Sequence, residues 1–137
     1  RNSSVPIALE GALKLKELAY VHAEGYPAGE MKHGPLALVD DGLVAVAIAN
    51  STTLADKMAS NINEIKARGG KICAIVDSED ESINNLAESI IRLPKISPHL
   101  APFLSTLVVQ LFAYESALIR KCDIDQPRNL AKSVTVE

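Results

Sequence analysis

The stretch LVAVAIANSTTLADKMASNINEIKARGGKICAIVD (residues 43–77) decides the fold. It begins and ends with short apolar runs, 43–49 and 71–77, which are rich in β-branched residues as buried strands are. Between these runs, apolar residues recur at helical spacing over 54–68, and two glycines end that pattern. The stretch therefore predicts a strand–helix–strand unit with parallel strands.

Further elements are predicted on both sides of this unit. They are a helix over 6–22, a loop rich in glycine and proline over 24–42, a short polar helix over 80–88, a third strand over 89–94, and a long apolar helix from Pro98 or His99 to Ile119. Residues 121–137 have no clear amphipathic pattern. The whole predicts an α/β fold, a three-layer sandwich of flavodoxin-like character with a mainly parallel sheet.

Composition excludes several classes of function. The 137 residues suffice for one domain, and 47% apolar with 23% charged residues is typical of a soluble globular protein. The net charge of -3, with both signs interspersed, argues against nucleic acid as a partner. The longest apolar run is well short of the roughly 18 residues of a membrane span. Cys73 and Cys122 form no disulfide framework or metal-binding spacing, which fits a reducing compartment. Because the chain starts at Arg1, we interpret it as a fragment of a longer protein.

Three charged residues of the first predicted helix share one face. Glu10, Lys14 and Glu17 are spaced i, i+4 and i+7. One interpretation is a solvent-exposed ladder of ion pairs, each worth about 0.2–0.5 kcal/mol. The other is a charged stripe that faces a pocket, in which the lysine holds one carboxylate and another carboxylate moves protons. The spacing is compatible with both.

Two other segments contain residues suited to catalysis. His33 could transfer protons near neutral pH, although a loop histidine often only packs and bonds to the backbone. Lys132 follows Arg128 by four residues in the tail. A lysine that is buried or beside another cation can form a Schiff base with a carbonyl sugar, whereas a tail lysine is usually solvated. The serines and threonines at 3–4 and 51–53 are N-cap sequences rather than strong phosphate-binding turns.

Two stretches resemble the isomerase domain of the glutamine:fructose-6-phosphate aminotransferase family. They are ALEGALKLKELAYVHAEGYPAGEMKHGPLALVD (8–40) and DQPRNLAKSVTVE (125–137), about a third of the chain. The second resembles the C-terminus of those enzymes, and the region between them matches in the order of its strands and helices. Other sugar isomerase (SIS) domains share the fold without this tail.

The resemblance implies a domain organisation and a reaction. Residues 1–122 would be a partial second SIS subdomain that lacks its first strand, and 123–137 a tail that carries a Schiff-base lysine. The full enzyme would also contain a glutaminase domain and a first SIS subdomain, and would act as a cytoplasmic homodimer. It would convert fructose-6-phosphate and glutamine-derived ammonia to glucosamine-6-phosphate, with no metal or organic cofactor.

The resemblance also implies roles for individual residues. Lys132 is similar to the lysine that forms a Schiff base with C2 of the open-chain sugar, and Glu17 to the carboxylate that moves a proton between C1 and C2. His33 is similar to a histidine that opens the sugar ring and reaches the site from the partner subunit. The supporting or substrate-binding positions are Lys14, Arg128 and Glu10.

The resemblance also bears on whether the chain alone could be active, and two alternatives to it stay open. The family's Ser/Thr-rich sugar-phosphate loop belongs to the first subdomain, and this sequence has no comparable stretch, so we expect the chain alone to be inactive. Two alternatives are a non-catalytic SIS-type sugar-phosphate-binding regulatory module and a glutamine-independent SIS phosphosugar isomerase or deglycase. The tail argues against both, and an upstream glutaminase domain beginning with Met-Cys would decide for the aminotransferase.

Overall fold

Three parallel strands form the sheet described by the computed structural model, which covers residues 3–50, 54–77 and 81–129. The helices and strands are, in chain order, α1 (Ser4–Ala19), β1 (Val44–Ala49), α2 (Ala55–Lys66), β2 (Lys71–Asp77), β3 (Ser89–Leu93) and α3 (Ala101–Ile119). Two 3-10 segments, Ala28–His33 and Pro35–Leu38, lie between α1 and β1. The strand order is β1-β2-β3, which confirms the predicted parallel α/β fold.

The central strand β2 is buried on both faces, which is why its sequence is continuously apolar rather than alternating. Ile72 and Val76 contribute to an apolar cluster on one face, together with α2 and the 3-10 segments. Ile75 belongs to a second cluster on the opposite face, with Ile7 of α1 and Val109 of α3. The sheet is therefore the middle of three layers, as the sequence predicts.

The contact between α1 and α3 is made by small side chains. One face of α3 is buried at every fourth position, by Ala101, Ser105, Val109, Ala113 and Ala117. On α1, a Cβ atom added to Gly11 would lie only 3.0 Å from the Cβ atom of Val109. The two helices approach so closely because neither presents a bulky side chain at this contact.

The opposite face of α3 is apolar and exposed. Phe103, Leu107, Leu111 and Leu118 lie on it, and Phe103 is 71% exposed. Within the described part of the chain, α3 is the helix whose length and apolar content would suffice to cross a membrane. That criterion is weak for a single helix, because core helices of soluble proteins also meet it. An exposed apolar face of this kind is typical of an interaction surface.

A short chain of polar contacts joins β1 to both helices of this layer. Ser4 donates a hydrogen bond to the Asn50 side chain (3.1 Å), which in turn donates to Ser105 (2.5 Å). Ser4 and Ser105 are both buried, so these bonds satisfy groups that would otherwise be unpaired away from water. They fix the N-terminal ends of α1 and α3 at the end of β1.

The segment after α1 runs back along that helix. A Cβ atom on Gly25 would lie 2.7 Å from the backbone carbonyl carbon of Ala8 and 2.8 Å from the backbone nitrogen of Leu9. Only glycine allows this approach, because the neighbouring atoms are helix backbone and cannot move aside. The contact holds the segment against the first half of α1.

The structure corrects several predicted boundaries. The first helix ends at Ala19 rather than at residue 22, because Tyr20 adopts the left-handed conformation with a φ of 53°. The predicted polar helix over 80–88 is wrong for its described part: residues 82–86 form turns. So short a polar segment has little intrinsic helical stability, and it is anchored instead by Ile83, which is fully buried. The last helix begins at Ala101, after a hydrogen-bonded turn.

Candidate functional site

The charged face of α1 contains a close ion pair. The Nζ atom of Lys14 lies 2.8 Å from Oε2 of Glu17, and the two side chains are 31% and 40% exposed. The third member of the face, Glu10, accepts a hydrogen bond from Nε2 of Gln110 on α3 at 3.0 Å. The three residues are therefore neither a buried cluster nor a simple exposed ladder: one carboxylate ties α1 to α3, and the other is held by a lysine.

The ion pair determines the charge state of its lysine. The hydrogen bond to Glu17 raises the pKa of Lys14 above its ordinary value, and the charges of Glu17 and Glu10 act in the same direction against a smaller opposing effect of burial. Lys14 is consequently a cation throughout the neutral range. A fixed cation beside Glu17 orients that carboxylate, as a proton-transfer group requires.

The tail of the chain returns to the C-terminal end of α1. The guanidinium carbon of Arg128 lies 3.9 Å from the centroid of the Tyr20 ring, and the backbone N–H of Arg128 donates to the Tyr20 hydroxyl oxygen at 2.9 Å. Before this point, the Asp123 carboxylate accepts the backbone N–H groups of residues 125 and 126, which turns the chain. Lys132 lies outside the described residues.

His33 is exposed at the end of the first 3-10 segment. Gly34 follows with a φ of 140°, a conformation that strongly favours glycine, and it joins this segment to the next. The neighbouring Lys32 forms an ion pair with Glu64 of α2, with 2.8 Å between Nζ and Oε1. The hydrogen bond from Lys32 lowers the pKa of Glu64, and the charge of Arg68 contributes. This ion pair anchors the segment that presents His33.

The structure brings some predicted residues together and separates others. Within residues 3–50, 54–77 and 81–129, no hydrogen bond or ion pair joins His33 to Glu17 or Lys14. At about 1.5 Å of rise per residue, Ser4 lies roughly 20 Å along α1 from Glu17. Ser4 also bonds to Asn50, so it does not form a phosphate-binding turn beside the charged face. In the same part of the chain, no group of three or more His, Cys, Asp or Glu residues could hold a metal ion.

Three residues near the site were not identified from the sequence. They are Tyr20, Gln110 and Glu64. Each makes a side-chain contact with a residue far away in the chain or on another element, and no local pattern indicates such a contact. The sequence gives a partial signal for Tyr20, since the helix predicted over 6–22 has to end before Gly25. The left-handed backbone of Tyr20 has no such signal.

Comparisons with known proteins agree with this description. The SIS domain family model matches residues 1–120. The glutamine–fructose-6-phosphate aminotransferase (isomerizing) of Thermus thermophilus is 56% identical over the whole chain. The chain spans 23% of the length of that curated relative.

Two solved structures share the fold. The C-terminal domain of a glucosamine-fructose-6-phosphate aminotransferase from Francisella tularensis has a TM-score of 0.80 at 43% identity, covering 90% of this chain and 35% of that one. A glucosamine-6-phosphate deaminase from Thermotoga maritima has a TM-score of 0.72 at 25% identity, covering 95% of this chain and 37% of that one.

The Lys32–Glu64 ion pair makes the position of the His33 segment dependent on pH. The pKa of Glu64 is below its ordinary value of 4.5, so the ion pair contributes fully above that pH and is lost as the pH falls through the lowered pKa. The change Glu64→Gln should loosen the segment already at neutral pH. The two methionines of the chain distinguish a change in the segment from a change in the core, because Met31 lies in the segment and Met58 is buried in α2.

In methyl NMR spectra, we expect the Met31 signal of the wild type to move only below about pH 4.5, where the carboxylate becomes protonated. In Glu64→Gln it should be displaced at neutral pH and show no such transition, while Met58 stays in place. Glu30→Gln, the same charge change at an exposed position of the segment, is the control. A Met31 signal that is identical in wild type and Glu64→Gln at neutral pH would contradict the anchoring role.

Proposed function

Because this chain belongs to the SIS domain family, we propose that it is the C-terminal part of a glutamine–fructose-6-phosphate aminotransferase, within the domain that isomerises the sugar. The observation that carries the proposal is the contact of Arg128 with Tyr20, at the end of α1 that carries Glu17. The 56% identity over the whole chain supports it.

In this reaction, ammonia derived from glutamine is joined to fructose-6-phosphate to give glucosamine-6-phosphate. Conversion of a C2 ketose to an aldose-type sugar requires loss of a proton at C1 and delivery of one at C2. Lys132 forms a Schiff base with C2 and releases water; ammonia then adds to C2 and displaces the lysine amine, so that C2 carries the ammonia-derived imine. This imine makes the C1 hydrogens more acidic, because it accepts the electron pair of the broken C–H bond. Glu17 takes the C1 proton and returns it at C2, since one carboxylate beside the enolamine reaches both carbons.

The ion pair with Lys14 supports the role of Glu17. It holds the carboxylate in one orientation and leaves it half-buried, so that a proton-transfer group is positioned before the sugar binds. Glu10 supports the same face indirectly, since its hydrogen bond to Gln110 fixes α1 against α3. Arg128 is assigned a place beside the substrate as the tail residue that contacts α1 directly.

His33 is proposed to open the sugar ring in the site of a second subunit. Its exposure and the absence of a contact with Glu17 or Lys14 within the described residues support a role outside its own subunit. A homodimer is the smallest assembly that allows this exchange and is the commonest closed assembly. The Lys32–Glu64 ion pair would then fix the direction in which the histidine is presented.

The remaining partners follow from the same assignment. Residues 1–122 are proposed to be a partial second SIS subdomain and 123–137 the catalytic tail, with a glutaminase domain and a first SIS subdomain in the rest of a cytoplasmic enzyme. The first SIS subdomain is proposed to cover the apolar face of α3 that carries Phe103 and Leu107, a face too apolar to be left in water. The chain spans 23% of the length of the Thermus thermophilus relative, so the rest of a protein of that length is long enough to include this subdomain.

A glutamine-independent phosphosugar enzyme is the second candidate. The likeness to the deaminase from Thermotoga maritima favours it, since a related fold occurs in an enzyme of that name. This candidate comes second because the chain is more similar in sequence to the aminotransferases than to that deaminase.

The chain alone is expected to be inactive. It contains the proposed proton-transfer and Schiff-base groups, but residues 3–50, 54–77 and 81–129 form no turn that grips a sugar phosphate near Glu17. Phosphate binding energy normally positions the reacting carbon. Purified residues 1–137, incubated with fructose-6-phosphate and ammonium, should form no glucosamine-6-phosphate, whereas the full-length enzyme should. Measurable product from the chain alone would refute this division of roles.

The change Lys132→Arg tests the Schiff base. Arginine keeps the positive charge but its guanidinium does not form the imine, so borohydride should no longer trap labelled fructose-6-phosphate on the full-length enzyme. Lys121→Arg, at an exposed position outside the site, is the matched control and should be trapped like wild type. Trapping that persists in Lys132→Arg shows that another amine forms the imine.

The change Glu17→Gln tests proton transfer. The amide keeps the shape of the side chain and its contact with Lys14 but does not accept the proton, so exchange of the C1 hydrogen with solvent should fall by about 10²–10⁴-fold. The KM for fructose-6-phosphate should change little. NMR of the C1 hydrogens in deuterated water measures the exchange. Exchange at the wild-type rate returns Glu17 to the role of a surface ion-pair residue.

A further inference from the structure

Tyr20 ends α1 in a conformation that a tyrosine rarely adopts. Its φ of 53° is left-handed, a region in which helices usually end with glycine because a Cβ atom is disfavoured there. Its backbone N–H still bonds to the carbonyl oxygen of Leu15, so the helix end itself is satisfied. Glycine would fit this backbone at least as well, so the backbone alone does not explain a tyrosine here, and its side-chain contacts do.

That side chain holds one residue of the tail in two ways. The ring lies under the Arg128 guanidinium at 3.9 Å, and the hydroxyl oxygen accepts the Arg128 backbone N–H at 2.9 Å. The second bond does not depend on the arginine side chain, so it fixes the path of the main chain. Upstream, the Cys122 thiol approaches the carbonyl oxygen of Ala19, the neighbour of Tyr20. The tail is thus attached to the last turn of α1 at two places.

The attachment limits where the end of the chain can be. Glu17 precedes Tyr20 by one helical turn and shares its side of α1. Lys132 follows Arg128 by four residues, and four residues can span at most about 14 Å.

We propose that Tyr20 is a positioning residue for the Schiff-base lysine: by holding Arg128 it sets the path of the tail toward Glu17. This rests on the proposed function, in which Lys132 forms the imine and Glu17 moves the proton. In this proposal Tyr20 acts through Arg128 and not on the reacting atoms themselves. Loss of the Tyr20 contacts should therefore slow imine formation and lower kcat, because the lysine amine then spends less time at C2. The KM for the sugar should not change.

The test uses the full-length enzyme with Tyr20→Phe and Tyr20→Leu. Phenylalanine keeps the ring under Arg128 and removes the hydroxyl acceptor, and loss of one hydrogen bond should lower kcat about 5-fold. Leucine removes both contacts and should lower kcat about 30-fold. Borohydride trapping of labelled fructose-6-phosphate should slow in the same order, with KM nearly constant.

Tyr26→Phe is the matched control. It removes a hydroxyl from the same stretch of chain, but that hydroxyl bonds to the exposed Glu24 and not to the tail. Wild-type trapping and kcat are expected for it. The positioning role is overturned if Tyr20→Phe forms the imine at the wild-type rate, or if Tyr26→Phe slows it equally. If the wild-type enzyme itself is not trapped, the proposed Schiff-base function fails, and the role of Tyr20 fails with it.

Discussion

The close packing of α1 against α3 is the constraint on which the rest of the structure depends. It exists because Gly11 and the small residues of α3 allow the two helix backbones to approach, and a single added Cβ atom at Gly11 would meet Val109 at 3.0 Å. α1 supplies the charged face, and α3 leads directly into the tail. Any change that separates these helices would therefore separate the two groups of residues that the proposed site requires.

The same packing explains which surfaces are buried and which remain open. One side of α1 faces the sheet through Ile7, another faces α3, and the segment at Gly25 covers part of a third. The charged face is one of the sides that remain, besides the side of the exposed Leu9 and Leu13, and it is only partly covered. α3 has one buried side of small residues and one open side of large apolar ones, the reverse of the usual surface helix. This open side is the one that the proposed first SIS subdomain would cover.

The sequence predicts the fold well because apolar runs and helical spacing are local signals. The strand 71–77 and the stop after α2 were predicted correctly for this reason. The helix predicted over 80–88 failed because a short polar segment has little local preference, and the buried Ile83 decided its shape. The spacing of Glu10, Lys14 and Glu17 placed them on one face but could not show that Glu10 turns to Gln110. The contact of Tyr20 with Arg128 has no local signal at all.

The contacts that assemble the site join residues about a hundred positions apart. Arg128 and Tyr20 are separated by 108 positions, and Gln110 and Glu10 by 100. Closing so long a loop costs conformational entropy that a single cation–π contact or hydrogen bond does not offset. Burial of the small-residue faces of α1 and α3 offsets this entropy instead. Once the two helices are packed, the described residues beyond α3, up to residue 129, remain to be ordered. Order in the described part of the tail, up to residue 129, is therefore a consequence of the folded core, and the short path from α3 to Tyr20 is what makes the proposed site, built from both ends of the chain, physically feasible.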